Sequence, residues 1–339
     1  MTALRERAAR RVAAAAGWSF TVAGVPVRME AGSAALAARL REWLADAFVL
    51  AAADSASARP LLLRVSNGAA PPPIPDSATE FFVAARWRVQ RADSRVYLSF
   101  PQARCDLDLS AGFAMLWISA GWWQEPLKAQ QEPWSLTLIW LLRERGRYAL
   151  HASAVARGGR ALLIAGESGS GKSSTALSLI HTGWDWLADD VVLLEPAEVP
   201  RLHGLAHGFA FHPALAERLP GLVGEALAEK QFAKIGGLFP TSRSDPSHPA
   251  ALLFPQVTGA ATSRMERLSS AEALGALLAA SGGILTAGAQ TQAQAQMVAL
   301  RDLVSAVPGH RLHAGRDIFG NGKALEMLLC KHGVTLGNG

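Results

Sequence analysis

Cysteine is nearly missing from this chain of 339 residues: only Cys105 and Cys330 are present, with no CxxC pair and no Cys/His cluster. That excludes a disulfide framework and a zinc site of the usual spacing, and it fits a reducing compartment. Long apolar runs are missing too. The longest, such as Ala111 to Trp123, fall short of the roughly 20 residues that span a bilayer. Also lacking is a basic run interleaved with aromatics. The net charge is +5 and the pI about 9.6, but the arginines are scattered, which argues against a nucleic-acid partner. No internal repeat is visible. Residues Met1 to Ala16 carry Arg5, Arg7, Arg10 and Arg11, but Glu6 interrupts them, so they read as a solvated helix and not a targeting segment. The expectation is a soluble, cytoplasmic protein with no membrane partner.

What is present is apolar sequence enough for two cores, since half the residues are hydrophobic. The first region reads as a small α+β domain. Phe20 to Glu30 alternates around Ala23-Gly24 as a hairpin, Ser33 can cap an amphipathic helix over Ala34 to Val49, and Leu61 to Val65 reads as a strand. Gly68 to Pro75 is a proline-rich loop, and Trp87 to Phe100 forms a second hairpin about Asp93-Ser94. The polar stretch Glu125 to Glu132 marks a boundary, giving domains 1–128 and 129–339, with Pro133 opening a helix from Trp134 to Glu144. Beyond Gly146, Tyr148 to Val155 reads as a strand, Gly158-Gly159 as a turn and Ala161 to Ala165 as a second, buried strand.

The next segment, Gly166-Glu167-Ser168-Gly169-Ser170-Gly171-Lys172-Ser173, fits G-x-x-x-x-G-K-[ST] at every fixed position. Glycines let such a loop curl until successive N–H groups point inward at phosphate oxygens, and the helix that follows adds the positive end of its dipole. Lys172 would reach the β and γ phosphates, and Ser173 would offer its hydroxyl to magnesium. A chance glycine-rich turn is the competing reading. The buried strand before the loop and the apolar stripe Ala176, Leu177, Ile180 after it, closed by Gly183, argue for a nucleotide loop. The residues expected to contact the nucleotide are Gly166, Glu167, Ser168, Gly169, Ser170, Gly171, Lys172, Ser173 and Ser174.

Downstream, Trp184 to Ala188 reads as a strand ending at Asp189-Asp190, after one helix and one return strand from the loop. In a parallel sheet both carboxylates would lie at the carboxyl end, beside the phosphates. One would help hold magnesium and the other would accept a hydroxyl proton. A plain Asp-Asp turn is the alternative, although adjacent carboxylates repel unless a cation lies between them. His151, alone on a strand, reads from the residues only as a structural histidine. Lys230, Lys234, Arg243 and Arg316 read as surface charges.

Taken in order, Leu150-His151-Ala152, the Gly158-Gly159 hairpin, the loop Gly166 to Ser173 and Leu187-Ala188-Asp189-Asp190-Val191 resemble the catalytic domain of HPr kinase/phosphorylase. The resemblance is specific over Tyr148 to Glu195. It is looser afterwards, where Ser269 to Ala280 and Val307 to Leu329 look like HPr-kinase-related proteins of biosynthetic clusters, including lasso-peptide and exosortase-associated ones. It implies an α/β fold with a P-loop kinase domain after a smaller α+β domain. It also implies catalytic roles for Asp189, Asp190 and His151, and magnesium on Ser173 and Asp190, while leaving open which aspartate takes the proton. ATP and Mg²⁺ would be the cofactors, and the acceptor would be a serine hydroxyl of a peptide or small protein such as a precursor peptide. The resemblance is also compatible with a homo-oligomer. Two departures stand out: Ser174 replaces the Glu that follows the loop serine in the bifunctional enzymes, and their phosphorylase signature is not recognisable. Both argue against phosphorolysis and against HPr as acceptor. The competing readings are a small-molecule hydroxyl kinase and a nucleotide-binding regulator without transfer activity. The choice of ATP over GTP is not written in these residues.

Overall fold

The computed structural model describes residues 16–52, 59–217, 219, 221–227, 229–234, 246–285, 290–319 and 321–334. The helix expected over Met1 to Ala16 falls almost wholly outside them. The chain is a mixed α/β protein of two compact units, Met1–Arg145 and Gly146–Gly339.

In the first unit, β1 (Ala16–Val22) and β2 (Val25–Ala31) form the expected hairpin. Ala23 and Gly24 both take positive φ, 48° and 73°, which suits a tight turn whose twist matches that of the strands. Ser33 caps α1 (Ala34–Ala47) by accepting the Leu36 N–H. After the two-residue β3 (Ala51–Ala52), β4 (Leu61–Asn67) returns parallel to β2. An antiparallel meander follows through β5 (Thr79–Val83), β6 (Arg88–Ala92), β7 (Arg95–Ser99), β8 (Ala103–Asp108) and β9 (Phe113–Ile118). The result is one nine-stranded sheet in the order β3-β1-β2-β4-β9-β8-β7-β6-β5.

Helix α2 (Leu127–Arg143) corrects two expectations. The polar stretch before Pro133 is helix and not linker, and Pro133 lies inside the helix instead of opening it. A proline there removes one backbone hydrogen bond, a cost that burial of Trp134, Leu138 and Leu141 and the Gln131 side-chain bond to the Ala47 carbonyl offset. The Trp134 ring lies 5.8 Å from Trp43 of α1 and 6.3 Å from Trp122. These indole contacts bind α2 to the first unit, so the compact units divide after Arg145 and not after residue 128.

The second unit is built on a six-stranded sheet. Its strands are β11 (Ala152–Arg157), β12 (Arg160–Ala165), β13 (Asp185–Ala188), β19 (His248–Val257), β20 (Arg264–Leu268) and β21 (Gly309–Ala314), in the order β13-β11-β12-β19-β21-β20. The expectation of parallel neighbours is only half met. Antiparallel β11 stands between β12 and β13, yet β12, β13, β19 and β21 all run the same way, so their carboxyl ends share one edge. Alternate residues such as Leu163, Ala165, Leu252 and Phe254 pack with Leu277 of α5 (Ser270–Leu285) and Leu300 of α6 (Gln290–Ala306). The intervening Val155, Leu162 and Leu253 are equally buried on the opposite face, where α3 (Lys172–Ile180) packs against β11 and α7 (Gly322–Lys331) packs on α3.

The strand expected over Tyr148 to Val155 is broken in two. β10 (Tyr148–Leu150) pairs with β14 (Val192–Glu195), which pairs in turn with β15 (Arg201–Gly204), while β11 joins the large sheet. His151 is the residue at the break. A third small sheet comprises β16 (Phe209–Phe211), β17 (Glu225–Leu227) and β18 (Lys230–Ala233), and the single turn α4 (Pro213–Ala216) follows β16. Among the described residues no helix is long and apolar enough to cross a membrane.

Candidate active site

Strand β12 runs buried to Ala165, and the glycine-rich loop then carries the chain into α3 at Lys172, the strand–loop–helix order expected from the sequence. Two glycines have specific steric reasons. A Cβ on Gly166 would stand 2.6 Å from the Ser170 hydroxyl oxygen, so the loop closes this tightly only without a side chain there. Gly171 takes φ 104°, in the left-handed region that other residues avoid. Lys172 folds back over the loop and donates from Nζ to the carbonyls of Gly166 (2.7 Å) and Glu167 (3.0 Å). Burial lowers the Lys172 pKa. The negative charges of Asp189 and Asp190 oppose that shift, and the positive charge of Lys230 reinforces it. Lys230 is exposed, as a surface charge would be, and is near enough to act on the loop lysine. Lys234 and Arg316 are exposed, and Arg243 lies outside the described residues.

The two aspartates, adjacent in sequence, occupy opposite environments. Asp189 is buried directly after β13. It accepts the Ser173 hydroxyl at 3.0 and 3.1 Å on its two oxygens, the Ser153 hydroxyl of β11, and the Ala210 N–H of β16 at 3.2 Å. Burial pushes its carboxyl pKa up, the Asp190 charge pushes the same way, and the three donors pull against both. Asp190, whose side chain is 44% exposed, takes φ 71°, a conformation that costs energy for a residue with a side chain. Its Oδ1 lies 3.1 Å from Nδ1 of His151, and its own carbonyl oxygen lies at the same distance from that nitrogen. The His151 backbone N–H donates to the Ser281 hydroxyl of α5, which fixes the break between β10 and β11.

The tertiary structure thus brings Lys172, Ser173, Asp189, Asp190 and His151 to one edge of the sheet, as the sequence suggested. Within this arrangement Ser173 contacts Asp189 directly, the neighbour of the Asp190 that the resemblance places with Ser173 on a metal. The physical reason is strand direction. Asp189, directly after β13, faces Ser173 of α3, and the positive φ of the next residue turns the chain toward His151. Ser153 and the Ala210 N–H were not read from the sequence at all. Ser153 looks like any small residue on a buried strand, and a backbone donor leaves no compositional trace.

Fold and site together define a mixed α/β protein with a glycine-rich loop between a buried strand and a helix, and with carboxylates gathered at the same sheet edge. No protein-family model matches the chain, and no curated protein matches it. Among solved structures it is similar to the Hpr(Ser) kinase/phosphatase from Coxiella burnetii, with a match probability of 1.00, 14% identity and a TM-score of 0.28. That match covers 55% of this chain and 96% of the other. At that identity and score it adds nothing to the chemistry, which rests on the geometry above.

Proposed function

We propose that the second unit is a magnesium-dependent kinase that moves the γ-phosphoryl group of a nucleoside triphosphate, ATP in the first instance, to a serine hydroxyl of a peptide or small protein. One observation carries this reading. The hydroxyl of the loop residue Ser173 is held by buried Asp189, while the next residue, strained Asp190, turns to His151. A chain turn alone would need neither the burial nor the strain.

The residues fit the groups they would hold. The loop N–H groups and the start of α3 favour an anion, and Lys172 and Lys230 bring positive charge beside them. The Ser173 hydroxyl and the Asp189 carboxylate together form an oxygen site suited to magnesium, which when bound offsets the negative charge of the triphosphate. Asp190 accepts the proton of the incoming serine hydroxyl as its oxygen bonds to the γ-phosphorus and the bond to the β-phosphate oxygen breaks. His151 holds the Asp190 carboxylate in position. Ser153 and the Ala210 N–H keep Asp189 oriented toward Ser173. The resemblance of Tyr148 to Glu195 to HPr kinase/phosphorylase supports a serine hydroxyl as acceptor, and the first unit would bind that acceptor or a second copy of the chain.

The test is ADP release in a coupled assay with magnesium, with and without a panel of serine-containing peptides. The expected result is release that depends on peptide and on serine, with phosphoserine in the product. Acceptor-independent release would indicate an ATPase, and release only with small polyols would indicate a small-molecule kinase.

A further inference from the structure

The loop and its lysine account for the phosphates of a nucleotide and leave its base without a place. One wall of the loop has unused features. A Cβ on Gly171 would stand 3.1 Å from Cγ2 of Val257 and 3.8 Å from Cζ of Phe319, so both side chains lie directly against the loop backbone. Val257 is 50% exposed and Phe319 is only partly covered, so both offer apolar surface beside the loop. Val257 ends β19, and Phe319 lies in the turn that follows β21, so both stand at the carboxyl-end edge of strands parallel to β12, the edge where ligands of such sheets bind.

The wall is held in place. The Thr258 N–H and hydroxyl both donate to the Ala314 carbonyl, at 3.0 and 3.2 Å. Asp317 accepts the Ser263 N–H at 3.0 Å and the Ser263 hydroxyl at 2.5 Å, and that hydroxyl accepts the Gly315 N–H at 2.8 Å. The Arg316 N–H donates to the Ala260 carbonyl at 2.8 Å, and Ile318 is buried. The turn that carries Phe319 is therefore tied to the segment after Val257 by side-chain and backbone bonds together. An aromatic ring and a branched aliphatic group fixed at the rim of an anion cradle suit a flat, apolar ligand face joined to a polyphosphate.

We propose that Phe319 and Val257 form the wall on which the base of the nucleoside triphosphate lies. The inference rests on the kinase reading and names the site for the other half of the same ligand. The wall is apolar at both residues, so it takes the face of the ring and not its hydrogen-bonding edge. It therefore favours a purine triphosphate over bare polyphosphate and treats ATP and GTP alike.

The test measures binding of ATP, GTP and inorganic tripolyphosphate, each with magnesium, to the full chain by calorimetry. In Phe319→Ala, ATP and GTP should bind about tenfold more weakly, the size expected when a base loses an aromatic platform, and in Val257→Ser they should bind more weakly by a smaller factor, while tripolyphosphate binding stays unchanged in both. Phe319→Trp should keep ATP affinity. Unchanged tripolyphosphate binding also shows that the variant is folded, and Phe319→Leu, which keeps most of the volume, should still lose ATP affinity if Phe319→Ala does not fold. Equal loss of ATP and tripolyphosphate would make Phe319 a prop for the loop and overturn the proposal, as would unchanged ATP affinity. Tripolyphosphate binding as tight as ATP in the wild type would overturn the base wall and leave the phosphate loop standing. Failure of the wild type to bind any of the three would overturn the kinase reading as well.

Discussion

The two units treat buried polarity differently. Among the described residues of the first unit the buried polar side chains are Gln131, Thr137 and Arg143, whereas the second unit buries Ser153, Lys172, Thr175, Asp189, His203, His207, Ser281 and His310, among others. Positive φ at non-glycine residues divides along the same line. In the first unit Ala23 and Asp93 take it in two-residue hairpin turns, where it matches the twist of the strands, and in the second Asp190 takes it outside any hairpin. Burying polar groups and straining the backbone both lower stability, so a fold keeps them together where chemistry needs them. By that measure the second unit, and not the first, gathers the features expected of a reactive site.

The sharpest way to break this contrast is to separate the units. A chain beginning at Gly146 should remain soluble and bind ATP with magnesium as the whole chain does. A chain beginning at Gln130 should aggregate, because it keeps half of α2 and exposes Trp134, Leu138 and Leu141, which the first unit covers. Solubility and calorimetry of the two fragments decide the matter, and loss of ATP binding in the shorter one would mean that the first unit helps build the site.

Within the second unit, Asp190→Asn should cut phosphoryl transfer by about 10² to 10⁴-fold while ATP affinity is kept, the outcome expected of the proposed acceptor base. Full turnover in the coupled assay would reduce Asp190 to a strained turn. Lys172→Ala should weaken ATP binding by about 10 to 100-fold through loss of its charged hydrogen bonds. Unchanged affinity by calorimetry would remove the loop from the nucleotide site altogether. Ser153→Ala should act more mildly, raising the magnesium concentration for half-maximal activity about fivefold, the loss of one hydrogen bond to a carboxylate, with Ser153→Thr restoring part of it.

The smallest effect is one of pH. Burial raises the Asp189 pKa above its ordinary value near 3.8, so the folded chain holds that proton to higher pH than the unfolded chain. Its contribution to stability is complete below the unfolded value and is lost as the pH rises through the raised folded value. Without metal, the melting temperature of the wild type relative to Asp189→Asn should therefore fall as the pH rises above the ordinary aspartate value near 3.8. A flat difference would show that Asp189 titrates as an exposed aspartate does.

Much of this was legible in the residues, and for local reasons. The hairpins at Ala23-Gly24 and Asp93-Ser94, the Ser33 cap and the strand–loop–helix around Gly166 to Ser173 depend on turn residues, caps and periodicity within a few positions. Where the sequence reading failed, a distant contact decided the outcome. Pro133 could have opened a helix by its own preference, and it lies inside one because Trp43 and Trp122 await Trp134.

By itself, the sequence determined that this chain has a glycine-rich loop with a lysine and a serine between a buried strand and a helix, and a carboxylate pair one helix and one strand further on. Only the tertiary structure decided what each carboxylate touches. Antiparallel β11 enters between β12 and β13 and carries Ser153 to Asp189, β16 brings the Ala210 N–H to the same carboxyl, and the break after β10 presents His151 to Asp190. Hydrogen bonds and burial of this kind join residues far apart along the chain, and they leave one of two chemically identical neighbours buried and the other partly exposed.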